Sequence, residues 1–593
     1  MSTDRKIDVI ILQLIQNFLY SLVDEMTQTV VRTTFSPITM HAFDFQCGIC
    51  RADGEVLLEG EGTLIHSLAY PTLIRNWLEA NRETTYPGDI IITNDPYSHG
   101  GHLPDVYIFH PIFLGDEIVA WTTSGGHQRD IGGATPGSCA CDSVELYQEG
   151  LIIQPMKLYE RGARNETLFK IMRSNSRTPD ILEGDIESHG AALRAGEERL
   201  LELIKEYGWD TLKIYFDELL DYAERLTRAE LTALPDGEYE FTDYLDDNGQ
   251  GYIDDKGNII ADPVPIHLKI TVKGDTITYD FTGTAPQVAG AMNNPYANSK
   301  ATITSCMRFM ISPEIPRNSG VFRPVTLIVP EGTLLNPRPP AAVASRGATM
   351  GRQTDVILGA QAQIAPDKIM ACCSQVDTLL NLGGLDAEDK NFILMEAMWG
   401  GWGGRPFADG IDYTTVPELN GGNQPVETNE ELYPVMYDQY AYIMDREGAG
   451  KYRGSAALIR DWRLLADEAV LQLRVDRQRY GPYGLYGGQA GAPLEAILNP
   501  DTENHHTGKI TTKVKKDDVI RIIFAGAGGW GDPLNRDVNL VKMDVLNEKV
   551  SIKRAKDVYG VVINEKTMEA DLTETTKLRD IMRHKNAEKK TAS

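Results

Sequence analysis

The sequence is short of cysteine and of positive charge. Its seven cysteines in 593 residues are an odd number, which argues against a disulfide framework and favours a reducing compartment. Lys and Arg number 58 against 85 Asp and Glu, so the net charge is −27. Because nucleic acid and anionic membranes attract clustered positive charge, we expect neither among the partners.

Recognisable targeting and membrane segments are also missing from the sequence. The first apolar run is interrupted by Gln13, Gln16 and Asn17 and closed by Asp24 and Glu25, unlike a cleavable signal. We expect no run to be long enough to span a bilayer. These observations predict a cytoplasmic protein.

Motifs for nucleotide binding and for nucleophilic catalysis are incomplete. At Gly450-Lys451, Asp445 stands where a P-loop has its leading glycine, and Tyr452 replaces the Ser or Thr. The sequence has no Gly-x-Ser-x-Gly elbow. Metal-assisted activation of water or of a carbonyl is the chemistry that remains.

Histidine, in contrast, is concentrated in one stretch. Six of the eleven histidines lie within residues 41–127, namely His41, His66, His99, His102, His110 and His127. Two polar, glycine-spaced segments, 94–105 and 124–133, follow the apolar runs 89–93 and 118–122. This pattern predicts loops at the ends of buried strands, where a rigid scaffold presents side chains for chemistry.

A metal site is the sharpest hypothesis for these loops. Asp44, His102, Asp105 and His127 supply two imidazoles and two carboxylates, a set that suits zinc, manganese or iron(II). The alternative is that they cap turns through hydrogen bonds. His99 is a candidate fifth ligand or proton shuttle, or simply a solvated loop residue.

Asp130 lies three residues after His127 and admits two interpretations. It either orients an imidazole or acts as a catalytic acid or base, and the two roles look alike in sequence.

Two cysteine pairs raise the possibility of a zinc or redox site. Cys47 and Cys50 fall in a predicted strand, where a spacing of three points them to opposite faces. Cys-x-x-Cys sites instead occupy turns or helix starts. We therefore interpret these two residues, with Cys139 and Cys141, as buried small side chains.

Periodicity predicts an α+β, multi-domain chain with mixed helices and largely antiparallel or mixed sheets, and with the metal site on loops at strand ends. Residues 5–34 read as one long helix, and 165–234 as a charged helical stretch. The predicted divisions are an N-terminal metal-site domain (1–234), an α+β middle domain (235–394), a Gly-rich loop with a β-rich domain (395–568) and a charged tail (569–593). We expect the tail to fray or pack loosely.

Several motifs across nearly the whole chain resemble the hydantoinase B/oxoprolinase family. The motifs are Asn94-Asp95-Pro96-Tyr97, Gly100-Gly101-His102-Leu103-Pro104-Asp105, His127-Gln128-Arg129-Asp130-Ile131-Gly132-Gly133, Pro136-Gly137-Ser138, Tyr147-Gln148-Glu149-Gly150-Leu151, Arg323-Pro324, Pro330-Glu331-Gly332, Asp476-Arg477, Gly487-Gly488 and Tyr559-Gly560-Val561-Val562.

The resemblance implies a division of labour between two subunits. A hydantoinase A-type partner, with ATP and Mg in its own site, would phosphorylate a carbonyl or enol oxygen of a small-molecule substrate, and this chain would finish the reaction. A hetero-oligomer of A2B2 type or similar is expected. In the related acetone and acetophenone carboxylases an Asp, His, Asp, His set holds a metal, and the matching positions here are Asp44, His102, Asp105 and His127.

One departure from the family pattern concerns the first loop. The usual Gly-Gly-Thr-His is here Ser98-His99-Gly100-Gly101-His102, which places a second histidine beside the predicted site.

The function expected from this resemblance is metal-dependent hydrolysis of an activated cyclic amide such as hydantoin, 5-oxoproline or a lactam. Asp130 or His99 would manage the proton. The first alternative is a subunit of an ATP-dependent ketone carboxylase of acetone or acetophenone type. The second alternative is a non-catalytic assembly subunit.

Overall fold

The computed structural model describes residues 7–99, 101–254, 258–374 and 376–592. Within these ranges helices combine with five sheets in which almost all strand pairs are antiparallel. This arrangement confirms the predicted α+β class with largely antiparallel and mixed sheets.

The first region is built on one long helix and one large sheet. Its elements are α1 (Val9–Thr33), α2 (Pro37–Met40), β1 (Phe45–Arg51), β2 (Val56–Glu59), α3 (Tyr70–Asn81), β3 (Ile90–Thr93), α4 (Pro96–His99), β4 (Asp105–Leu114), β5 (Glu117–His127), β6 (Met156–Glu160), β7 (Ala163–Arg164), α5 (Glu166–Asn175), α6 (Pro179–Tyr207) and α7 (Trp209–Thr232). The Asp8 carboxylate caps α1 by accepting a hydrogen bond from Ile10 N at 2.8 Å.

The seven strands of this region form one sheet, in the order β2-β1-β5-β4-β3-β6-β7. Residues of α1, α6 and α7 share a core with one face of the sheet, and α3 packs on the other face. Cys47 belongs to the first core and Cys50 to the second. This confirms that the two thiols point to opposite faces.

The register of the central strands brings three predicted site residues to one end of the sheet. In the antiparallel pairs Asp105 lies opposite His127, and Phe45, which follows Asp44, lies opposite Gly126. The loop predicted over residues 124–133 begins only after His127, because β5 stays extended to that residue with β1 and β4 pairing on either side. A Cβ at Gly126 would lie 2.5 Å from Phe45 Cβ, so only glycine allows this close approach.

The second region places a buried helix against a smaller sheet. Its elements are β8 (Gly237–Leu245), β9 (Tyr252–Ile253), β10 (Ile259–Ile260), β11 (Val264–Lys273), β12 (Thr276–Asp280), α8 (Tyr296–Met307), β13 (Val325–Ile328) and α9 (Arg346–Ile364). β9 pairs with β10, and β13-β12-β11-β8 form a four-stranded sheet with a parallel β12–β13 pair. Nearly every residue of α9 is buried, so this helix forms the centre of the region.

The third region contains two more sheets and the C-terminal helices. Its elements are β14 (Thr378–Leu385), β15 (Asn391–Met398), α10 (Val426–Leu432), β16 (Val435–Ile443), β17 (Ala457–Leu464), β18 (Glu468–Arg474), β19 (Glu495–Leu498), β20 (His505–Thr507), β21 (Ile510–Lys515), β22 (Val519–Ile523), α11 (Val538–Leu546), α12 (Ile552–Asp557) and α13 (Leu572–Ala592). The sheets run β15-β14-β18-β21 and β16-β17-β22-β19-β20 and share one core. The predicted division after residue 394 falls inside β15, and the domain boundaries stay predictions.

The charged tail forms the helix α13, and most of its residues are exposed, which fits the expectation of loose packing. The Asp571 carboxylate accepts hydrogen bonds from Thr573 N and Glu574 N, both at 3.0 Å, and thereby caps α13. Arg579 donates to the carbonyl oxygens of Tyr559 at 3.0 Å and of Arg536 at 2.7 Å. These contacts attach the helix to the preceding chain.

Helix α1 corrects the expectation that no run could span a bilayer. By length and composition alone, this 25-residue helix is long and apolar enough to cross a membrane. The core helix of a soluble protein can have the same length and composition. The α1 residues buried in the core shared with α6 include Leu12, Ile15, Leu19 and Leu22.

Candidate metal centre

Two imidazoles and a carboxylate meet at the ends of β4 and β5. His102 Nε2 lies 3.0 Å from His127 Nδ1, and Asp105 Oδ1 lies 3.2 Å from each of these nitrogens. All three side chains are buried. The structure therefore brings together three of the four predicted metal ligands within hydrogen-bond distance.

The chain entering α9 holds this cluster from the opposite side. His102 Nδ1 donates to the Ala344 carbonyl oxygen at 2.8 Å, which leaves a lone pair on Nε2. The Arg346 guanidinium donates to Asp105 Oδ2 at 2.6 Å. Glu149 Oε1 in turn accepts from Val343 N at 2.7 Å and Ala344 N at 2.8 Å. Contacts of this kind fix the orientation of groups that bind metals.

The surroundings of the cluster shift the pKa values of the two imidazoles in opposite directions. Burial lowers the pKa of His102 to about 4, with a further contribution from Arg346 that Asp105 opposes. Burial also acts to lower the pKa of His127, but its hydrogen bond with Asp105 raises that pKa to about 10. Burial acts to raise the pKa of Asp105, yet His102 and Arg346 hold it well below its usual value. Asp105 is thus ionised and His102 neutral, the forms that bind metals, whereas His127 is protonated without a metal and would release a proton on binding one.

Asp44, the fourth predicted ligand, lies at the edge of the cluster. Its Oδ1 is 3.2 Å from His66 Nε2, and His66 Nδ1 is 3.1 Å from the Tyr107 hydroxyl. The Asp44 carbonyl oxygen accepts from His127 N at 3.0 Å. Its side chain is 32% exposed and lines the same cavity as both imidazoles.

A small cavity of about 30 Å³ lies over the cluster. Ile38, Ile65 and residues of β14, β15 and the chain after β15 form its apolar wall. Its polar lining consists of Asp44, His102, His127, Arg346, Asp377 and Arg474. Since Arg346 and Arg474 come from distant parts of the chain, only the fold could identify them.

The side chains of the cluster are of the types that bind divalent metals. His127 Nε2 is buried with no hydrogen-bond partner among the residues that the structure describes. Ligand atoms of His102, His127 and Cys139 all lie within 4.8 Å of one another. Imidazole, carboxylate and thiol groups suit zinc or iron(II), and the predicted residues fit such an ion.

Asp130, one of the two predicted catalytic residues, does not line this cavity. Both oxygens of Asp130 are occupied, by Gly137 N at 3.0 Å, Arg177 N at 2.7 Å and the Arg177 guanidinium at 3.0 Å. These contacts favour a structural role for Asp130, and its catalytic role stays a prediction. The side chain of His99 lies outside the described part of the structure.

A residue that the sequence pattern assigns to packing lies beside the imidazoles. Cys139 is predicted, with Cys141, to be a buried small side chain, and both thiols are buried. The structure nevertheless places Cys139 next to His102 and His127. The only signal in the sequence is its position 12 residues after His127.

A family model described as hydantoinase B/oxoprolinase matches residues 8–533. The chain belongs to the hydantoinase B/oxoprolinase family. It is 31% identical, over 97% of its own length and 99% of the relative, to the B subunit of a putative D-/L-hydantoinase from Pseudomonas sp. strain NS671. The resemblance noted in the sequence is confirmed.

Solved structures agree with this membership. The crystal structure of an ATP-dependent caprolactamase from Pseudomonas jessenii superposes with a TM-score of 0.88 at 27% identity, covering 97% of this chain and 100% of that chain. A nucleotide-free acetone carboxylase structure gives a TM-score of 0.88 at 20% identity, covering 98% of this chain and 84% of that chain. At that identity the second likeness concerns the fold alone.

Proposed function

We propose that this hydantoinase B-type chain is the metal-dependent subunit of a two-component, ATP-dependent enzyme that hydrolyses a cyclic amide. The observation that carries the proposal is the buried cluster of His102, Asp105 and His127 facing a cavity that two arginines also line. Relatives named as the B subunit of a hydantoinase and as an ATP-dependent caprolactamase support the reaction class.

In this proposal Asp44, His102, Asp105 and His127 hold a divalent ion such as zinc, manganese or iron(II). When bound, the ion supplies Lewis acidity and makes water a stronger nucleophile near neutral pH. The chain contributes ligand orientation: the Ala344 carbonyl fixes the tautomer of His102, and Arg346 keeps Asp105 ionised.

The two arginines of the cavity are suited to the phosphate of an activated substrate. Arg474 is held by Asp377, with its Nη2 2.8 Å from Oδ1 and its Nε donating to the carbonyl oxygen at 2.8 Å. A guanidinium fixed in this way binds phosphate oxygens in a defined direction. At about 30 Å³ the cavity has room for little more than a water molecule, so the apolar wall, which includes Leu379 and Met395, would contact the methylenes of a cyclic amide only after the cavity widens.

The phosphate would come from the partner subunit. We infer a hydantoinase A-type partner that carries ATP and Mg and phosphorylates the amide oxygen, in a hetero-oligomer of A2B2 type or similar. The incomplete P-loop at Gly450-Lys451 and the naming of the hydantoinase relative as one of several subunits support this division.

The test is reconstitution of the chain with its partner. We expect ATP turnover stimulated by hydantoin, 5-oxoproline or a lactam without bicarbonate, and lost after replacing His102 and His127 with Ala. ATP turnover that requires acetone and bicarbonate would instead establish the ketone carboxylase alternative. Full activity of the double variant would establish a non-catalytic assembly role.

A further inference from the structure

Cys139 lies at the metal cluster on a loop whose shape is fixed at several points. Asp130 Oδ1 accepts from Gly137 N at 3.0 Å, and Ser138 Oγ donates to the Gly132 carbonyl oxygen at 2.7 Å. Gly137 and Ser138 adopt left-handed backbone conformations, with φ of 79° and 58°. This turn sends the chain back from the end of β5 toward the imidazoles.

The position of Cys139 is also fixed from the side of α9. Ser345 Oγ donates to the Cys139 carbonyl oxygen at 3.2 Å, and Ser345 directly precedes Arg346, the ion-pair partner of Asp105. The thiol is 1% exposed. The same short segment therefore places the carboxylate, one imidazole and the cysteine.

The two nitrogens of the His127 ring have different surroundings. His127 Nδ1 already contacts Asp105 and His102, whereas Nε2 is buried with no hydrogen-bond partner among the described residues. Leaving such a group unsatisfied costs about 1–3 kcal/mol. An ion shared with His102 and Asp105 would take Nδ1, and ligand atoms of His102, His127 and Cys139 lie within 4.8 Å of one another to hold it.

We propose that Cys139 Sγ is an additional metal ligand beside His102 and His127, an inference that rests on the proposed metal centre. The thiol loses its proton to solvent when the metal–sulfur bond forms. Because a thiolate is a soft donor, Cys139 biases the site toward zinc or iron(II) and away from manganese and magnesium.

A packing role is the competing explanation for Cys139. The residue belongs to a small apolar cluster with Ile38, Leu379 and Met395, and these three also line the cavity. As a purely apolar wall residue, Cys139 would leave the metal with nitrogen and oxygen ligands alone. The two roles therefore predict different atoms around the metal.

X-ray absorption at the zinc edge of the wild-type protein, loaded with one equivalent of Zn²⁺, distinguishes these roles without any mutation. We expect a sulfur shell at about 2.3 Å beside nitrogen and oxygen at about 2.0–2.1 Å. A shell of nitrogen and oxygen alone overturns the role of Cys139 but leaves the proposed metal centre intact. Failure to retain zinc overturns both.

Cobalt substitution with matched cysteine variants gives a second readout. Cys141→Ser is the control, because Cys141 is equally buried but its Sγ contacts Ser345 Oγ at 3.1 Å and the Leu473 carbonyl oxygen at 3.4 Å. We expect Cys139→Ser, but not Cys141→Ser, to lose the near-ultraviolet thiolate-to-Co²⁺ absorption and to bind Zn²⁺ roughly 10- to 100-fold more weakly. Persistence of that absorption in Cys139→Ser would overturn the inference. If Cys139→Ser fails to fold, the X-ray absorption spectrum of the zinc-loaded wild-type protein decides whether sulfur binds the metal.

Discussion

Asp105 performs two tasks that its sequence neighbours do not reveal. It contacts both imidazoles, and it is the buried counter-ion of Arg346, which lies 241 positions further along the chain. Breaking a buried ion pair from one side leaves the other charge without its compensation. Asp105 is therefore expected to matter for stability as well as for metal binding.

We predict that Asp105→Asn lowers both metal content and stability, the latter by about 3 kcal/mol or more. The comparison variant is Asp44→Asn, because its carboxylate is 32% exposed. Asp44→Asn should lose metal with a much smaller change in the urea midpoint. Equal midpoints for the two variants would show that the Arg346 pair contributes little.

Glu149 is a buried carboxyl group with a direct effect on the pH dependence of stability. Burial raises its pKa from 4.5 to about 8, although Ala344 N and Val343 N donate to it and oppose the shift. Because the folded pKa lies above the unfolded one, folding favours the protonated acid. Its contribution to stability is present below about pH 4.5 and is lost as the pH rises through about 8.

The variant Glu149→Gln is neutral at every pH and keeps the acceptor oxygen for the two N–H groups. We predict that it matches the wild type near pH 5 and exceeds it by a few kcal/mol near pH 8. Urea unfolding at several pH values measures the difference. The exposed Glu145→Gln serves as control and should show no such trend. A difference that shrinks with rising pH would contradict the assigned protonation.

At the scale of elements, the sequence predicted which residues lie near the ends of neighbouring strands, but it did not predict the full length of strand β5. Apolar runs and His and Asp spacing correctly placed Asp105 and His127 at neighbouring strand ends. Periodicity could not show that Ser124–His127 remains a strand, because that depends on pairing with both β1 and β4. The helical tail was missed for a similar reason, since Arg579 attaches it through contacts with distant backbone.

The glycines at the end of β5 offer a test of this close packing. A Cβ at Gly126 would meet Phe45 Cβ at 2.5 Å and the Asp44 carbonyl oxygen at 2.7 Å. We predict that Gly126→Ala costs about 1–3 kcal/mol and weakens metal binding, because β1 must move away from β5.

The control for this variant is Gly190→Ala in α6, where the nearest neighbour of an added Cβ is Arg194 Nη1 at 3.6 Å. It should be neutral or slightly stabilising, since alanine favours a helix. Calorimetry and metal analysis of both variants provide the measurement. A neutral Gly126→Ala would show that the strands have room to adjust.

For the molecule as a whole, the cavity is assembled from all three regions of the chain. The first region supplies the imidazoles, α9 supplies Arg346, and β18 supplies Arg474. Local sequence signals therefore identified the residues of the proposed metal centre, while the residues proposed to bind substrate come together only through long-range packing. Asp377 and Arg474 lie on chain segments 97 positions apart and meet only in the fold.

This division predicts that metal binding and substrate binding can be separated by mutation. Arg474→Lys keeps the positive charge but loses the planar guanidinium that donates to the Asp377 carbonyl oxygen. We expect the KM for the activated substrate to rise about tenfold or more, while metal content equals that of the wild type. His127→Ala should show the opposite pattern, with lost metal and lost turnover. If Arg474→Lys lowered metal content as much as His127→Ala, the arginine would belong to the metal site rather than to substrate recognition.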